Sequence, residues 1–326
     1  MSTPASALSR TKLALEGRLR EFAADVRSGL TKPHKELHSK YLYDELGSSL
    51  LEAITFLPEY GLTRADDRLL RAHAADIAGL LGLPTTVVEL GSGVGQKTRH
   101  VLEALAHPAL AYFPIDVSRE ALARCERDLS DLAEVRAIEQ SYLDGMARAV
   151  AERRAGDRFL VLFLGSTLGN FERPCALEFL RDLRRALEPG DALLVGADLV
   201  KDPAVMLTAY DDPTGVTAAF NLNLLGRINR ELGADFDLRG FEHQARWNAA
   251  ERRIEMHLRS RADQTASIPA ADLRVAFLAG ETIWTESSHK FLPGEMFAMA
   301  AQSGFRVEEQ WIDAEWPFVE SLWMAH

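Results

Sequence analysis

Apolar and polar positions follow two different periods along this chain. Short apolar runs of strand length alternate with stretches in which apolar residues recur every three or four positions. The runs lie at 85–90, 111–116, 135–140, 159–164 and 192–196, and helical patterns follow near 97–106, after Ser118 and at 173–187. Because strand and helix patterns alternate, the sequence predicts a doubly wound, parallel α/β sheet.

The alternation is interrupted after Lys201 and resumes near Pro293. The stretch between them, about ninety residues, far exceeds an ordinary crossover and predicts a helix near 213–232, a hairpin around 247–250 and strands near 272–288. After it, runs at 305–307 and 318–323 suit an antiparallel strand pair. We therefore predict an α+β domain inserted after the fifth strand and completed by the N-terminal helices. The predicted divisions are a loose tail at 1–12, one domain at 13–62 and 201–289, and another at 63–200 and 290–326.

The start of one helix carries a local signal. Thr63 is followed three residues later by Asp66, and apolar positions then repeat with helical spacing at Leu69, Leu70 and Ile77. This pattern predicts a helix that begins at Thr63, with Asp66 completing a capping box.

Three glycines at alternate positions follow the first strand. Gly91, Gly93 and Gly95 would let the backbone turn sharply and approach a ligand closely, although a tight strand–helix turn alone would also explain them. A dinucleotide-binding loop would place glycine at position 96, where this chain has Gln96. Asp116 ends the second strand at the offset where an acid binds a ribose diol. The loop resembles motif I of the class I methyltransferases, which bind S-adenosylmethionine.

Composition narrows the function classes. The net charge is −11 and the basic residues are scattered, so nothing favours binding to nucleic acid or to an anionic membrane. No apolar run reaches the length of a membrane span. Two cysteines are too few for a disulfide framework or a metal cluster. We therefore expect a soluble, cytoplasmic protein without a metal.

Several polar residues lie where parallel strands end or where the insert begins and ends. Asn170 follows the fourth strand and could bind an amine and a carboxylate together, or cap a helix. Glu286 and Ser288 share one face of a strand and could clamp a ring bearing N–H groups, or form an exposed strand end. Tyr210 and Tyr60 could bind a polar group or simply pack.

Taken together, these segments resemble the histidine-specific Nα-methyltransferases of ergothioneine biosynthesis. The likeness runs from about residue 35 to the C-terminus and its motifs keep the family's order. They are KYLYDELGS (40–48), LPEY (57–60), ELGSG (89–93), KTR (97–99), FLGSTLGN (163–170), AYDD (209–212), VTAAFN (216–221) and IEM (254–256). The resemblance implies a Rossmann-like class I methyltransferase sheet, with the inserted domain binding the substrate.

The resemblance also implies site residues. Those expected to bind S-adenosylmethionine are Gly91, Ser92, Gly93, Lys97, Asp116, Ser141 and Tyr142. Those expected to bind the substrate are Tyr60, Gly165, Thr167, Asn170, Tyr210, Met256, Glu286 and Ser288. Asn170 and Tyr210 would hold the α-carboxylate and amine and, with the lid residue Tyr43, form the catalytic set. Two positions depart from the family pattern: Ser141 replaces an aspartate near the adenine, and Gly61 replaces an aromatic residue, which predicts a roomier pocket there.

The implied reaction is three successive methylations of L-histidine to hercynine by a monomeric enzyme, with S-adenosylhomocysteine as the second product. A related methyltransferase acting on another amino acid or a modified histidine is the nearest alternative. A catalytically idle S-adenosylmethionine sensor is a second alternative. A nicotinamide dehydrogenase is a third, which Gln96 disfavours.

Overall fold

A computed structural model describes residues 4–82 and 85–326. The helices of the described residues are α1 (Pro4–Leu30), α2 (Glu45–Thr55), α3 (Leu62–Leu81), α4 (Thr98–Ala104), α5 (Arg119–Leu129), α6 (Tyr142–Ala151), α7 (Arg173–Arg185), α8 (Pro203–Tyr210), α9 (Val216–Leu232) and α10 (Pro293–Ser303). The strands are β1 (Thr85–Leu90), β2 (Ala111–Asp116), β3 (Glu134–Val135), β4 (Ile138–Glu139), β5 (Arg158–Phe163), β6 (Ala192–Asp198), β7 (Phe241–Asn248), β8 (Arg253–Ser260), β9 (Gln264–Ile268), β10 (Leu273–Phe277), β11 (Thr282–His289), β12 (Phe305–Ile312) and β13 (Phe318–Ala325).

The described residues divide into two compact units. The insert unit lies within Met1–Phe56, Leu207–Asn248 and Ile254–Ser287. The sheet unit lies within Leu57–Met206, Ala249–Arg253 and Ser288–His326.

The sheet unit is built on an eight-stranded, mostly parallel sheet. Its strand order is β12-β13-β6-β5-β1-β2-β3, and β4 also pairs with β2. Strands β1, β2, β5 and β6 run parallel, whereas β13 is antiparallel to both β6 and β12. The carboxyl ends of the parallel strands therefore share one edge of the sheet, where α/β proteins bind ligands.

Both faces of this sheet are buried under helices. Val88 of β1 packs in a cluster that includes Phe179 of α7, whereas its neighbour Val87 joins Ile77 of α3 on the opposite face. Side chains alternate between the faces of a strand, so a central strand covered on both sides is mostly apolar, and a polar side chain there must find a partner. This requirement explains the apolar runs in the sequence.

The insert unit combines a three-stranded sheet, β11-β8-β7, with the hairpin β9–β10 and three helices. Asp44 caps α2 by accepting a hydrogen bond from the Gly47 amide at 2.8 Å. The same carboxylate accepts from Asn223 at 2.7 Å and pairs with Arg230 at 2.5 Å, both on α9. One side chain thereby fixes the start of α2 and its position against α9.

The predicted fold class, a doubly wound sheet with a second α+β domain inserted after the fifth strand, is confirmed. Helix α1 begins at Pro4, inside the segment 1–12 predicted as a loose tail, and that segment is rich in strong helix formers; residues 1–3 lie outside the described residues. Strand β9 carries no strong apolar alternation and was not predicted. Among the described residues, no helix has the length and apolar character needed to cross a membrane.

The chain leaves and re-enters the core of the sheet unit at adjoining positions. Phe291 donates its amide to the Asp198 carbonyl at 2.9 Å, and Val200 donates to the Phe291 carbonyl at 3.0 Å. A parallel bridge joins Leu199 to Phe291. Both ends of the segment that contains the insert are therefore hydrogen-bonded to each other.

Candidate active site

The glycine loop after β1 is held by the end of β2. Gly91 and Ser92 donate their amides to the Ile115 carbonyl at 2.8 and 3.2 Å. Asp116 accepts from the Gly93 amide at 2.9 Å and from the Ser118 amide at 2.9 Å, one on each carboxylate oxygen. Because a carboxylate oxygen can accept more than one hydrogen bond, Asp116 keeps capacity for a diol while it shapes the loop.

The three glycines of the loop differ in what their missing side chains would meet. All three have positive φ, so another residue would be strained there. A Cβ on Gly91 would lie 3.4 Å from Tyr142, and one on Gly93 would meet no atom within 4 Å. A Cβ on Gly95 would lie 2.7 Å from Leu129. Gly95 therefore serves internal packing, whereas Gly91 and Gly93 leave a cradle beside Tyr142 that fits a nucleotide-bearing cofactor.

Glu89 is a buried acid at the end of β1. It accepts hydrogen bonds from the Tyr112 hydroxyl and from Thr98 Oγ1, the latter at 2.7 Å. Burial outweighs these hydrogen bonds and raises the pKa of Glu89 to about 7. The carboxyl joins the glycine loop to the first turn of α4, which fixes the position of the nearby Lys97.

Lys97 forms an ion pair with Asp66, and Asp66 also accepts from the Gly165 amide at 3.0 Å. Asp66 is fully buried, so the predicted capping role is wrong. Helix α3 begins one residue early, at Leu62, which places Thr63 inside the helix. Asp66 instead brings together two predicted site residues, Lys97 and Gly165. Burial alone would lower the pKa of Lys97, but the charge and hydrogen bond of Asp66, together with the nearby acids Glu320 and Glu89, outweigh burial and raise it.

Ser141 and Tyr142 begin α6 with different surroundings. Tyr142 packs edge-on against Phe163 and Phe179, and burial raises its pKa to about 12. Ser141 hydrogen-bonds Asp144 at 2.6 Å. A carboxylate therefore lies beside position 141 although the family's aspartate is missing there.

The loop after β5 carries Gly165, Thr167 and Asn170. Its Ser166 adopts a left-handed conformation, with φ of 59°, and its hydroxyl accepts the Asp198 amide at 2.9 Å. Thr167 donates to the Leu164 carbonyl at 2.9 Å, and Asn170 ends a short 3₁₀ helix. A strained residue held by a buried partner is a common feature of functional loops.

Tyr60 packs in a small cluster with Phe318 and Trp316. A Cβ on the following Gly61 would lie 2.2 Å from the Trp316 ring. The prediction of a roomier pocket at Gly61 is therefore wrong, because an indole from the β12–β13 connection fills that space.

In the insert unit, Tyr43 donates its hydroxyl to Glu286 Oε1 at 2.9 Å. The Tyr43 ring also meets Phe220 edge-on, with 5.9 Å between ring centroids. Glu286 is 9% exposed and lies on β11. The structure thus brings together the predicted lid residue and the predicted ring-binding acid.

Tyr210 and Met256 are buried in the same unit. The Tyr210 carbonyl lies 2.7 Å from His243 Nε2, and Asn221 approaches His243 Nδ1 at 2.9 Å. Since a carbonyl only accepts, Nε2 carries the proton and Nδ1 accepts from Asn221. Met256 lies on β8, where its carbonyl accepts from Thr285 of β11 at 3.0 Å.

Ser288 contacts a buried ion pair of the sheet unit. Lys290 Nζ donates to Ser288 Oγ at 2.9 Å and lies 2.8 Å from Asp198 Oδ2. Lys290 and Asp198 are at most 1% exposed. Lys201 and the Trp316 indole bind the other Asp198 oxygen at 2.5 and 2.9 Å. The two lysines outweigh burial and lower the pKa of Asp198, so its carboxylate stays ionised.

Sequence reasoning missed Asp66, Asp198, Lys290 and Glu320 as contributors to this region. A weak signal existed for two of them. Asp66 falls on the apolar stripe of α3, in phase with Leu62 and Leu69, and Glu320 interrupts the apolar run of β13. A charge at a core position is informative because it must be paired or neutralised.

The sheet order, the glycine loop after β1 and the acid that ends β2 define a class I, S-adenosylmethionine-dependent methyltransferase. The family model for histidine-specific, S-adenosylmethionine-dependent methyltransferases matches residues 22–325. The chain belongs to this family.

Two relatives of this family cover nearly the whole chain, and a third covers part of it. A histidine N-alpha-methyltransferase of Mycolicibacterium smegmatis is 44% identical over 313 residues, which cover 95% of this chain and 97% of that protein. The histidine N-alpha-methyltransferase of Mycobacterium tuberculosis is 44% identical over 308 residues, covering 91% and 93%. The ergothioneine biosynthesis protein 1 of Neurospora crassa is 36% identical over 203 residues, covering 61% of this chain and 23% of that protein.

Proposed function

We propose that this chain methylates the α-amino group of L-histidine three times with S-adenosylmethionine, giving hercynine and S-adenosylhomocysteine, and so begins ergothioneine biosynthesis. The observation that carries the proposal is 44% identity to histidine N-alpha-methyltransferases along almost the entire chain. The Tyr43–Glu286 hydrogen bond supports it, because it orients a buried carboxylate suited to an imidazole N–H.

We assign the cofactor to the sheet unit. Lys97 would pair with the carboxylate of the methionyl part, and Asp116 would accept from the ribose hydroxyls. Tyr142 would pack beside the adenine. Asp144, which is hydrogen-bonded to Ser141, would accept a hydrogen bond from the amino group of the adenine. The residues proposed to bind S-adenosylmethionine are Gly91, Ser92, Gly93, Lys97, Asp116, Ser141 and Tyr142.

We assign L-histidine to the following polar groups. Asn170 and Tyr210 would bind its α-carboxylate and amine, and Glu286 would accept from the ring N–H. Ser288, held by Lys290, would bind the second ring nitrogen. The residues proposed to bind the substrate are Tyr60, Gly165, Thr167, Asn170, Tyr210, Met256, Glu286 and Ser288, with Tyr43 beside the amine.

In each transfer, the amine nitrogen forms a bond to the methyl carbon while the carbon–sulfur bond breaks and its electron pair stays on sulfur. The sulfonium cofactor supplies an activated methyl group, so no metal and no nucleophilic side chain is needed. The protein's task is to align the amine and to let one proton leave it before each transfer. Tyr43 and Tyr60 are the candidates for relaying that proton.

The direct test is mass spectrometry after incubation with S-adenosylmethionine and single amino acids. L-Histidine should gain one, two and three methyl groups in succession, and other amino acids should stay unmodified. Methylation of a different amino acid instead of L-histidine would show that the proposed substrate is wrong. Binding of S-adenosylhomocysteine without any transfer would favour a sensor. We further propose a monomeric, cytoplasmic enzyme; its two free cysteines support the location, and light scattering tests the mass.

A further inference from the structure

Asp66, Lys97 and Glu320 form a buried cluster with two carboxyl groups and one ammonium. Asp66 and Glu320 are 0% and 1% exposed. Asp66 Oδ2 already binds the Lys97 ammonium and the Gly165 amide. The carboxyl of Glu320 lies near that of Asp66, because a Cβ on Gly196 would be 2.7 Å from Glu320 Oε1 and 3.3 Å from the Gly165 amide nitrogen that Asp66 binds.

The hydrogen-bond inventory of this pair does not fit two ionised groups. Among the described residues, Asp66 Oδ1 and both oxygens of Glu320 have no donor partner. Two carboxylates in contact away from water repel each other and cannot both stay ionised. One shared proton removes the repulsion and creates a charge-assisted hydrogen bond.

The proton belongs on Glu320. Asp66 has an ammonium and an amide as donors, and both favour its ionised form. Glu320 has neither, and burial together with the charge of Asp66 raises its pKa well above the usual value. The charged groups that face Glu320 are Asp66 from α3 and Lys97, which follows the glycine loop. Glu89 of β1 interacts electrostatically with Lys97.

The neighbouring strand leaves space for this carboxyl group. A Cβ on Gly196 of β6 would lie 2.7 Å from Glu320 Oε1 and 3.3 Å from the Gly165 amide nitrogen. Any larger residue at position 196 would push Glu320 away from Asp66. The pairing therefore depends on α3, β6 and β13 together.

We propose that Glu320 is held as a neutral carboxylic acid that donates its proton to Asp66, and that this pair positions Lys97 for the carboxylate of S-adenosylmethionine. The inference rests on the proposed function, which assigns that carboxylate to Lys97. With one proton shared, Lys97 and Asp66 form a neutral pair, so the cluster can accept one further negative charge. Loss of the proton would place a second negative charge beside the ligand and weaken its binding.

Two variants of Glu320 separate its proton from its shape. Glu320→Gln keeps a donor to Asp66, so we expect it to bind S-adenosylhomocysteine within about twofold of wild type at pH 7. Glu320→Leu leaves Asp66 Oδ1 without a donor, and we expect binding roughly tenfold weaker. The KM for histidine at saturating cofactor should stay within about twofold in both variants. Glu309→Gln, an exposed acid on the same hairpin, is the matched control.

Infrared spectra of the wild type minus those of each variant at pH 7 detect a protonated carboxyl group directly. One carbonyl stretch of a protonated carboxyl group should be lost in Glu320→Gln and kept in Glu309→Gln, whereas the stretch from Glu89, whose pKa is about 7, should remain in both variants. In calorimetric titrations at rising pH, wild-type affinity should fall relative to that of Glu320→Gln.

Infrared spectra in which Glu320→Gln loses no protonated-carboxyl band would overturn the inference. So would equal weakening by the Gln and Leu variants, or a Leu variant that is less stable yet binds normally. Wild-type protein that binds no S-adenosylhomocysteine would refute the proposed function itself. Wild-type protein that methylates histidine, with a Leu variant of unchanged affinity, would refute the positioning role alone.

Discussion

Replacing Lys290 by methionine isolates the buried ion pair behind Ser288. Methionine fills similar space but removes the ammonium from Asp198 and from Ser288 Oγ, which lie 2.8 and 2.9 Å away. Breaking a buried pair by removing one partner typically costs 3–5 kcal/mol, and Asp198 keeps Lys201 and Trp316, so we expect about 3 kcal/mol. For a unit of this size, that cost corresponds to a Tm lower by roughly 6–12 °C.

The assay combines calorimetric unfolding with steady-state kinetics. Lys290→Met should lower the Tm and also raise the KM for histidine, because Ser288 loses the group that fixes its hydroxyl. Lys201→Met is the matched control. It removes the Lys201 ammonium, which also pairs with Asp198, and leaves the hydrogen bond from Lys290 to Ser288 in place. Burial lowers the pKa of Lys201 to about 8. We expect it to destabilise less and to leave the KM unchanged.

Acid supplies an independent check on the same pair. The pKa of Asp198 is lowered in the folded protein, so its contribution to stability is present above the unfolded pKa and is lost as the pH falls through the folded one. The stability gap between wild type and Lys290→Met should therefore narrow below about pH 4. A Tm within about one degree of wild type at pH 7 would refute the reasoning on the pair. An unchanged histidine KM would refute the role of Lys290 in placing Ser288.

Three further changes test other parts of the site. Glu286→Ala should raise the KM for histidine about tenfold, because a buried acceptor for the ring N–H is lost. Its affinity for S-adenosylhomocysteine should stay unchanged in calorimetry. Equal weakening of histidine and S-adenosylhomocysteine binding would mean that the residue is structural. Asp116→Ala should weaken S-adenosylhomocysteine binding and leave the KM for histidine unchanged, since it removes the proposed ribose acceptor and the hydrogen bond from the Gly93 amide. Glu89 has its pKa raised to about 7, so wild-type stability should fall by up to about 3 kcal/mol as the pH rises from 4.5 to 7. Urea unfolding of Glu89→Gln should show a smaller slope, since only the contribution of other buried acids such as Glu320 remains; an unchanged slope would mean that Glu89 does not contribute to it.

Local sequence signals were sufficient for the parallel strands, for the glycine loop and for the position of Asp116 at the end of β2. A fully covered strand is mostly apolar, and a backbone that turns under a ligand needs residues that tolerate positive φ. Both requirements act within a few residues, so they remain readable in one sequence. They explain why the fold class follows from the pattern alone.

The charged partners of the site were not predictable in the same way. Thr63 and Asp66 fit a capping box, yet Trp316 packs on Gly61 and the helix begins before Thr63. Asp66 meets Lys97, which is 31 residues away in the chain. Such pairs depend on which elements become neighbours in space, and a single sequence does not encode that locally. Polar residues at core positions were the signal that deserved more weight.

The hydrogen bonds between Val200, Asp198 and Phe291 also bear on how such enzymes diversify. Residues 202–289 start and finish at adjoining positions, so a segment of different length could replace them while Lys201 and Lys290 stay to pair with Asp198. Closing a longer excursion there costs only about 0.6 kcal/mol for each doubling of its length. Evolution could thus vary the inserted segment at this junction while the flanking strands stay in place, and protein engineers could exchange it there.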